Sequence, residues 1–117
     1  MSVVQTANDF DLDRVVSSAR VVIVDFWGPN CGKCKLMAPV LERLAEDHVD
    51  TITVVAVNVV DAPDSVDAYT VTTLPTVKVF VDGKVVETMT GALPQRVLTA
   101  RLKSAVAPFG LTLSGPA

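Results

Sequence analysis

One stretch limits what this chain can become. From Val21 to Leu44, VVIVDFWGPNCGKCKLMAPVLERL, a short apolar and mostly β-branched run enters a turn, passes two cysteines and continues with helical spacing. Val21, Val22, Ile23, Val24 and Phe26 have the character of a strand buried on both faces of a sheet. Around and beyond Cys34 the apolar residues fall at Leu36, Met37, Val40, Leu41, Leu44 and Ala45, one face of a helix running from about Cys31 to Asp47. Pro39 kinks that helix, because proline has no N–H to give to the preceding turn. A buried strand that feeds directly into an amphipathic helix predicts a layered α/β fold in which the helix packs back on the sheet.

Cys31 and Cys34 are the only cysteines in the sequence, and both lie at this junction. In the first turn of a helix the backbone N–H groups lack intrahelical partners and the macrodipole is positive, so a thiolate is favoured there. That placement lowers a cysteine pKa below its ordinary ~8.5, and the two-residue gap lets one sulfur reach the other across a single turn. A bridge closing so short a loop restricts the unfolded chain very little, which argues against a structural staple. With His48 the two thiols supply three donors where a closed zinc site takes four, so no metal and no cofactor are expected; a site bridged between two chains stays open. Asp25 interrupts the apolar run. Two readings of it stay open: a buried carboxyl whose pKa is raised by desolvation, or an edge strand with Asp25 turned to water.

The 117 residues make one domain, expected over residues 1–107 with a loose tail over 108–117, and the 50% hydrophobic content suits a compact core. A formal net charge of -3 gives no basic footprint, so nucleic acid is not an expected partner. The start, MSVVQTANDF, lacks a basic segment followed by an apolar one, and no apolar run approaches ~18 residues. The expectation is a cytoplasmic protein with no membrane contact, in a compartment where a Cys-x-x-Cys pair is more often catalytic than structural.

In chain order, Val3–Gln5 is a candidate strand, and Asn8 or Asp9 a cap for a helix to about Ser18 whose buried side is Phe10, Leu12, Val15 and Val16. After the central strand and helix, His48 stands at the helix end as a structural or solvent-exposed residue. Ile52–Val60 reads as a third strand, and a loop at Asp61–Asp64 opens a short helix from about Ser65 to Ala68. Thr76–Val81 and Lys84–Thr90 flank Asp82-Gly83 and form an antiparallel hairpin. A last amphipathic helix starts at Pro94 and ends before Pro108. The order β-α-β-α-β-α-β-β-α is that of a mixed five-stranded sheet flanked by four helices, parallel at the crossovers and antiparallel at the hairpin.

VDFWGPNCGKCKLMAPVLERLAE resembles the active-site region of the thioredoxin family, Leu74-Pro75-Thr76 resembles the family's cis-proline loop, and VKVFVDGKVVETMTGA its terminal hairpin and glycine loop. The resemblance spans roughly Val3 to Val106 and implies the thioredoxin fold, with the third strand of the sequence lying between the first two. It also implies a dithiol–disulfide oxidoreductase that reduces protein disulfides. In that reading Cys31 is the nucleophile, Cys34 resolves the mixed disulfide, and Asp25 exchanges a proton with Cys34. A cis Pro75 would leave the Leu74 backbone to pair with an extended substrate, within an apolar patch of Trp27, Gly32, Leu74, Pro75, Gly91 and Ala92. For Trp27 ordinary packing is the competing reading.

Three positions depart from the family pattern: Asn30 replaces a tryptophan, Lys33 a proline, and Ala56 a lysine facing Asp25. Loss of that cation pushes the Asp25 pKa further up. Lys33 is expected to raise the reduction potential above the family's usual value. The resemblance further implies a thioredoxin reductase as electron donor, and a small acidic domain of this kind is expected to be a monomer. A non-catalytic binding module that holds a partner with its thiols idle is the alternative.

Overall fold

The computed structural model describes residues 3–113. Five strands, β1 (Gln5–Thr6), β2 (Val21–Trp27), β3 (Thr53–Asn58), β4 (Thr76–Val81) and β5 (Lys84–Thr90), form one sheet in the order β1-β3-β2-β4-β5. Pairing is parallel for β1 with β3 and for β3 with β2, and antiparallel for β2 with β4 and for β4 with β5. The antiparallel half therefore extends past the hairpin to the central strand. Four helices flank the sheet: α1 (Leu12–Val15), α2 (Gly32–Asp47), α3 (Pro63–Ala68) and α4 (Gln95–Val106).

Alternation along the strands divides the core into two layers. Val21 and Ile23 of β2, Val54 of β3 and Val77, Val79 and Val81 of β4 pack with Met37, Leu41 and Leu44 of α2 and Leu98, Leu102 and Val106 of α4. Val22, Val24 and Phe26 of β2, Val55 and Val57 of β3 and Phe80 of β4 pack on the other face with Leu12, Val15 and Val16. Tyr69 closes that second layer, its ring edge-on to Phe80 at a centroid distance of 5.4 Å. Every apolar residue of β2 up to Phe26 is buried, as a strand covered on both faces requires.

The first helix is shorter than its periodicity predicts. It spans only Leu12–Val15, and Ser18 Oγ donates to the Val15 carbonyl at 2.6 Å, one of the local bonds by which serine competes with helix continuation. Asn8 does not cap this helix: its side-chain oxygen accepts from Phe10 N–H at 2.8 Å in a local turn. Asp9 caps a different helix, accepting from the N–H groups of Asp64 (3.0 Å) and Ser65 (2.7 Å) at the start of α3. Phe10, expected on the buried side, is 99% exposed, because it precedes the helix whose face it was assigned to.

At the hairpin, Asp82 (φ 52°) and Gly83 (φ 83°) both take positive φ, the geometry that matches strand twist in a two-residue turn. Beyond α4, residues 107–109 form a 3-10 turn closed by Gly110 at φ 72°. Leu111 and Leu113 of the expected tail lie against the α2/α4 layer, and residues 114–117 lie outside the described residues.

Candidate active site

The period of two along β2 places Asp25 on the same face as Val21 and Ile23, the face that α2 covers. Its register partners are Ala56 on β3 and Val77 on β4. Asp25 is 5% exposed, so β2 is not an edge strand with its carboxyl in water. Among the described residues no donor reaches Oδ1. Burial alone pushes its pKa up to about 7 from 3.8, a cost of roughly 4 kcal/mol to the fold when the group is ionised. Full burial of Val21, Val22, Ile23, Val24 and Phe26 contributes about 1.5–3 kcal/mol each, so the strand absorbs the carboxyl without losing its place in the sheet.

The strand ends at Trp27, and Gly28 to Asn30 turn the chain into α2. Asn30 adopts φ 63°, a conformation that asparagine tolerates better than a large side chain. Cys31 is the extended residue capping α2: its carbonyl accepts the first helical bond, from Lys35 N–H at 3.2 Å, and its sulfur accepts from Cys34 N–H at 3.2 Å. A sulfur in the position of a capping oxygen is stabilised more as an anion, since the N–H and the helix dipole both favour negative charge. The N–H that reaches this sulfur is that of Cys34, not of Lys33, and the Lys33 side chain is exposed. Cys31 and Cys34 are joined in a disulfide with Cα atoms 5.2 Å apart. Cys31 is partly exposed and Cys34 is 5% exposed.

Below the pair lies a cavity of about 450 Å³, onto which Asp25, Trp27, Cys34, Lys35, Leu41 and Ala56 open among others. It joins Asp25 and Cys34 through a common space, and Trp27 forms part of its wall. Lys35 is the cation of this wall, but it makes no ion pair with Asp25 within 4 Å.

Two further loops are tied to the segments that flank the cysteines. A Cβ on Gly28 would stand 2.9 Å from Leu74 Cδ1, so the absence of a side chain there lets the loop before Cys31 and the Leu74 loop approach. The Leu74–Pro75 peptide is cis, Pro75 is buried, and its carbonyl accepts from Gly91 N–H at 3.0 Å. The next segment returns to α2, where Leu93 N–H donates to Met37 Sδ at 3.1 Å. Leu74 and Gly91 are partly exposed, and Gly32 and Ala92 exposed. Leu74 thus lies against the segment before the Cys-x-x-Cys turn, and Pro75 is joined to Gly91, while none of these three lines the cavity. The contributions of Val4, Pro29, Ala38 and Glu42 to the cavity wall carry no motif in the sequence; only the missing cation at Ala56 pointed toward that space. His48 caps the C-terminal end of α2, 1% exposed and remote in sequence from these loops.

Comparison with known proteins places this geometry in a family. The family model described as Thioredoxin matches residues 2–104. The chain is 36% identical over 103 residues to a thioredoxin of Griffithsia pacifica, covering 88% of this chain and 94% of that one. It is 37% identical over 103 residues to thioredoxin 1 of Synechococcus elongatus, covering 87% and 96%. Against a chloroplastic M-type thioredoxin of Spinacia oleracea it is 38% identical over 106 residues, covering 90% of this chain and 59% of the relative.

Proposed function

This chain belongs to the thioredoxin family and is a thiol–disulfide oxidoreductase, and from that premise we propose that it reduces protein disulfides through Cys31 as attacking thiolate and Cys34 as resolving thiol. The single observation that carries the assignment of roles is the asymmetry of the pair: Cys31 caps α2 and is accessible, whereas Cys34 is buried and opens on the cavity that holds Asp25.

The Cys31 thiolate attacks one sulfur of a target disulfide, forming a Cys31–target bond, and the second target sulfur leaves as a thiolate that takes a proton from solvent. Asp25 accepts the Cys34 proton across their shared cavity, and the Cys34 sulfur then attacks Cys31 Sγ. The target leaves with both sulfurs reduced, and the protein retains the Cys31–Cys34 disulfide seen in the structure. A carboxyl with its pKa near 7 suits this traffic, because a base works best when its pKa lies close to the working pH.

Trp27, Gly32, Leu74, Pro75, Gly91 and Ala92 form the docking rim, with the Leu74 backbone pairing an extended target segment by strand addition. The joining of Gly28 to Leu74 and of Pro75 to Gly91 supports this grouping. A thioredoxin reductase returns the two electrons, and the cytoplasm is the working compartment; among the described residues no helix is long and apolar enough to cross a membrane.

The experiment is capture. Reduced Cys34→Ser, mixed with a disulfide-bonded peptide, accumulates a stable mixed disulfide at Cys31 by mass spectrometry. Capture at residue 34 in a Cys31→Ser variant, and not at Cys31, would reverse the assigned roles.

A further inference from the structure

The cavity beneath the cysteines is larger than proton exchange requires, and its lining is specific. Val4, Trp27, Ala38, Leu41 and Ala56 line it, and the sheet contributes the Asp25 carboxyl from β2 and Thr6 from β1. That carboxyl is buried to 5% exposure with Oδ1 lacking a donor, an expensive arrangement unless something at times pairs with it. Across the strand, at the register position that faces Asp25, Ala56 presents one methyl group and leaves the space unfilled. A volume of about 450 Å³ lies within the range of small-molecule pockets.

We propose that this cavity is a binding site for a small organic cation, an ammonium or amidinium on a compact apolar body, with the cation against the Asp25 carboxylate and the apolar body between Trp27, Leu41 and Ala56. Charge complementarity selects the class. A neutral apolar guest would leave the buried carboxyl unpaired, and an anion would be repelled by it, whereas a cation offsets the charge of the carboxylate and is also attracted to an indole face. The charged groups that share this cavity with Asp25 from neighbouring elements are Lys35 and Glu42, both on α2, where Cys34 is held in the disulfide; the partners of Asp25 on β3 and β4 are Ala56 and Val77, and Val4 and Thr6 line the β1 side. Lys35 and Glu42 have opposite signs, so the net charge of the wall is set by Asp25.

Binding is linked to ionisation. A cation pairs with the carboxylate, so below about pH 7 its entry displaces the Asp25 proton into solvent, and affinity falls with the ionised fraction. From a pKa of about 7, that fraction is about one in eleven at pH 6 and about ten in eleven at pH 8, a tenfold difference.

The test uses the oxidised full-length protein, so it needs no turnover and its failure is separable from failure of the exchange chemistry. Benzylamine and its neutral analogue benzyl alcohol are titrated at both pH values while amide and indole resonances are followed by nuclear magnetic resonance. The expected result is saturable shifts at Val4, Trp27 and Ala56, benzylamine binding about tenfold tighter at the higher pH, and benzyl alcohol binding more weakly with no pH dependence. Asp25→Asn should remove both the preference for the amine and its pH dependence, and Ala56→Leu should weaken both compounds by filling the space. Equal affinities for amine and alcohol, a flat pH profile for the amine, or shifts confined to other surfaces would overturn the proposal; should Ala56→Leu not fold, the Asp25→Asn comparison decides alone.

Discussion

Replacing Asp25 with asparagine should make the protein's stability less sensitive to pH, by an amount the structure sets. The native state binds the Asp25 proton more tightly than the unfolded state, since its pKa is about 7 when folded and 3.8 in the unperturbed carboxyl. Stability is therefore highest below the unfolded pKa, declines as pH rises through the window from about 3.8 to about 7, and levels off above it. The penalty is about 2 kcal/mol near pH 5 and about 4 kcal/mol near pH 8. Asparagine keeps the shape and has no ionised form, and its buried amide carries a desolvation cost of its own. That cost is the same at both pH values and cancels in the difference. The advantage of Asp25→Asn over wild type should thus grow by about 2–3 kcal/mol between pH 5 and pH 8, measured by urea unfolding of the oxidised proteins. Contributions from every other ionisable group are common to both proteins and also drop out. Unfolding curves that run parallel across that range would show that Asp25 titrates as an ordinary carboxyl and that its burial has been misjudged.

The remaining predictions concern the cysteines and the loops around them. In the reduced protein, iodoacetamide should label Cys31 well before Cys34, because the first is partly exposed at the helix cap and the second is buried; peptide mapping reads the order, and prior labelling of Cys34 would refute it. Lys33→Pro removes a positive charge from the first turn of α2, so it should lower the reduction potential, by ~30 mV for each tenfold change in the exchange equilibrium. Equilibration against glutathione buffers measures this, and equal potentials would remove Lys33 from the account. Gly28→Ala should cost about 1 kcal/mol and displace the Leu74 side chain, since the added methyl meets Leu74 Cδ1 at 2.9 Å; unchanged stability and an unchanged Leu74 methyl shift would contradict that contact.

Much of this molecule is legible without coordinates. The hairpin bounds Thr76–Val81 and Lys84–Thr90 follow from alternation around Asp82-Gly83, and β2 and α2 from a period that changes at the cysteines. The parts that were not legible depend on contacts between distant residues. Asp9 is suited to capping any nearby helix start, and only the fold decides that the start belongs to α3, 55 residues away. Phe10 fits the apolar stripe of a longer helix, yet local serine bonding and turn formation leave that helix at four residues and the ring in solvent. Whether Asp25 is buried depends on which strands flank β2, a matter of sheet order rather than of the residue itself. The cavity is least legible of all: the resemblance marks Ala56 as lacking a cation opposite Asp25, but the space beside it follows only from the register of β2 with β3 and the placing of α2 over them.

The measurement that tests the central claim most directly is insulin disulfide reduction with dithiothreitol as donor, followed by turbidity, for the wild type, Cys31→Ser and Cys34→Ser. The account predicts that the wild type accelerates precipitation well above dithiothreitol alone and that neither variant turns over, since one lacks the attacking sulfur and the other cannot release its target. A wild type no faster than the blank, with its fold intact by circular dichroism, would contradict the account and leave the fold serving to hold a partner rather than to exchange disulfides.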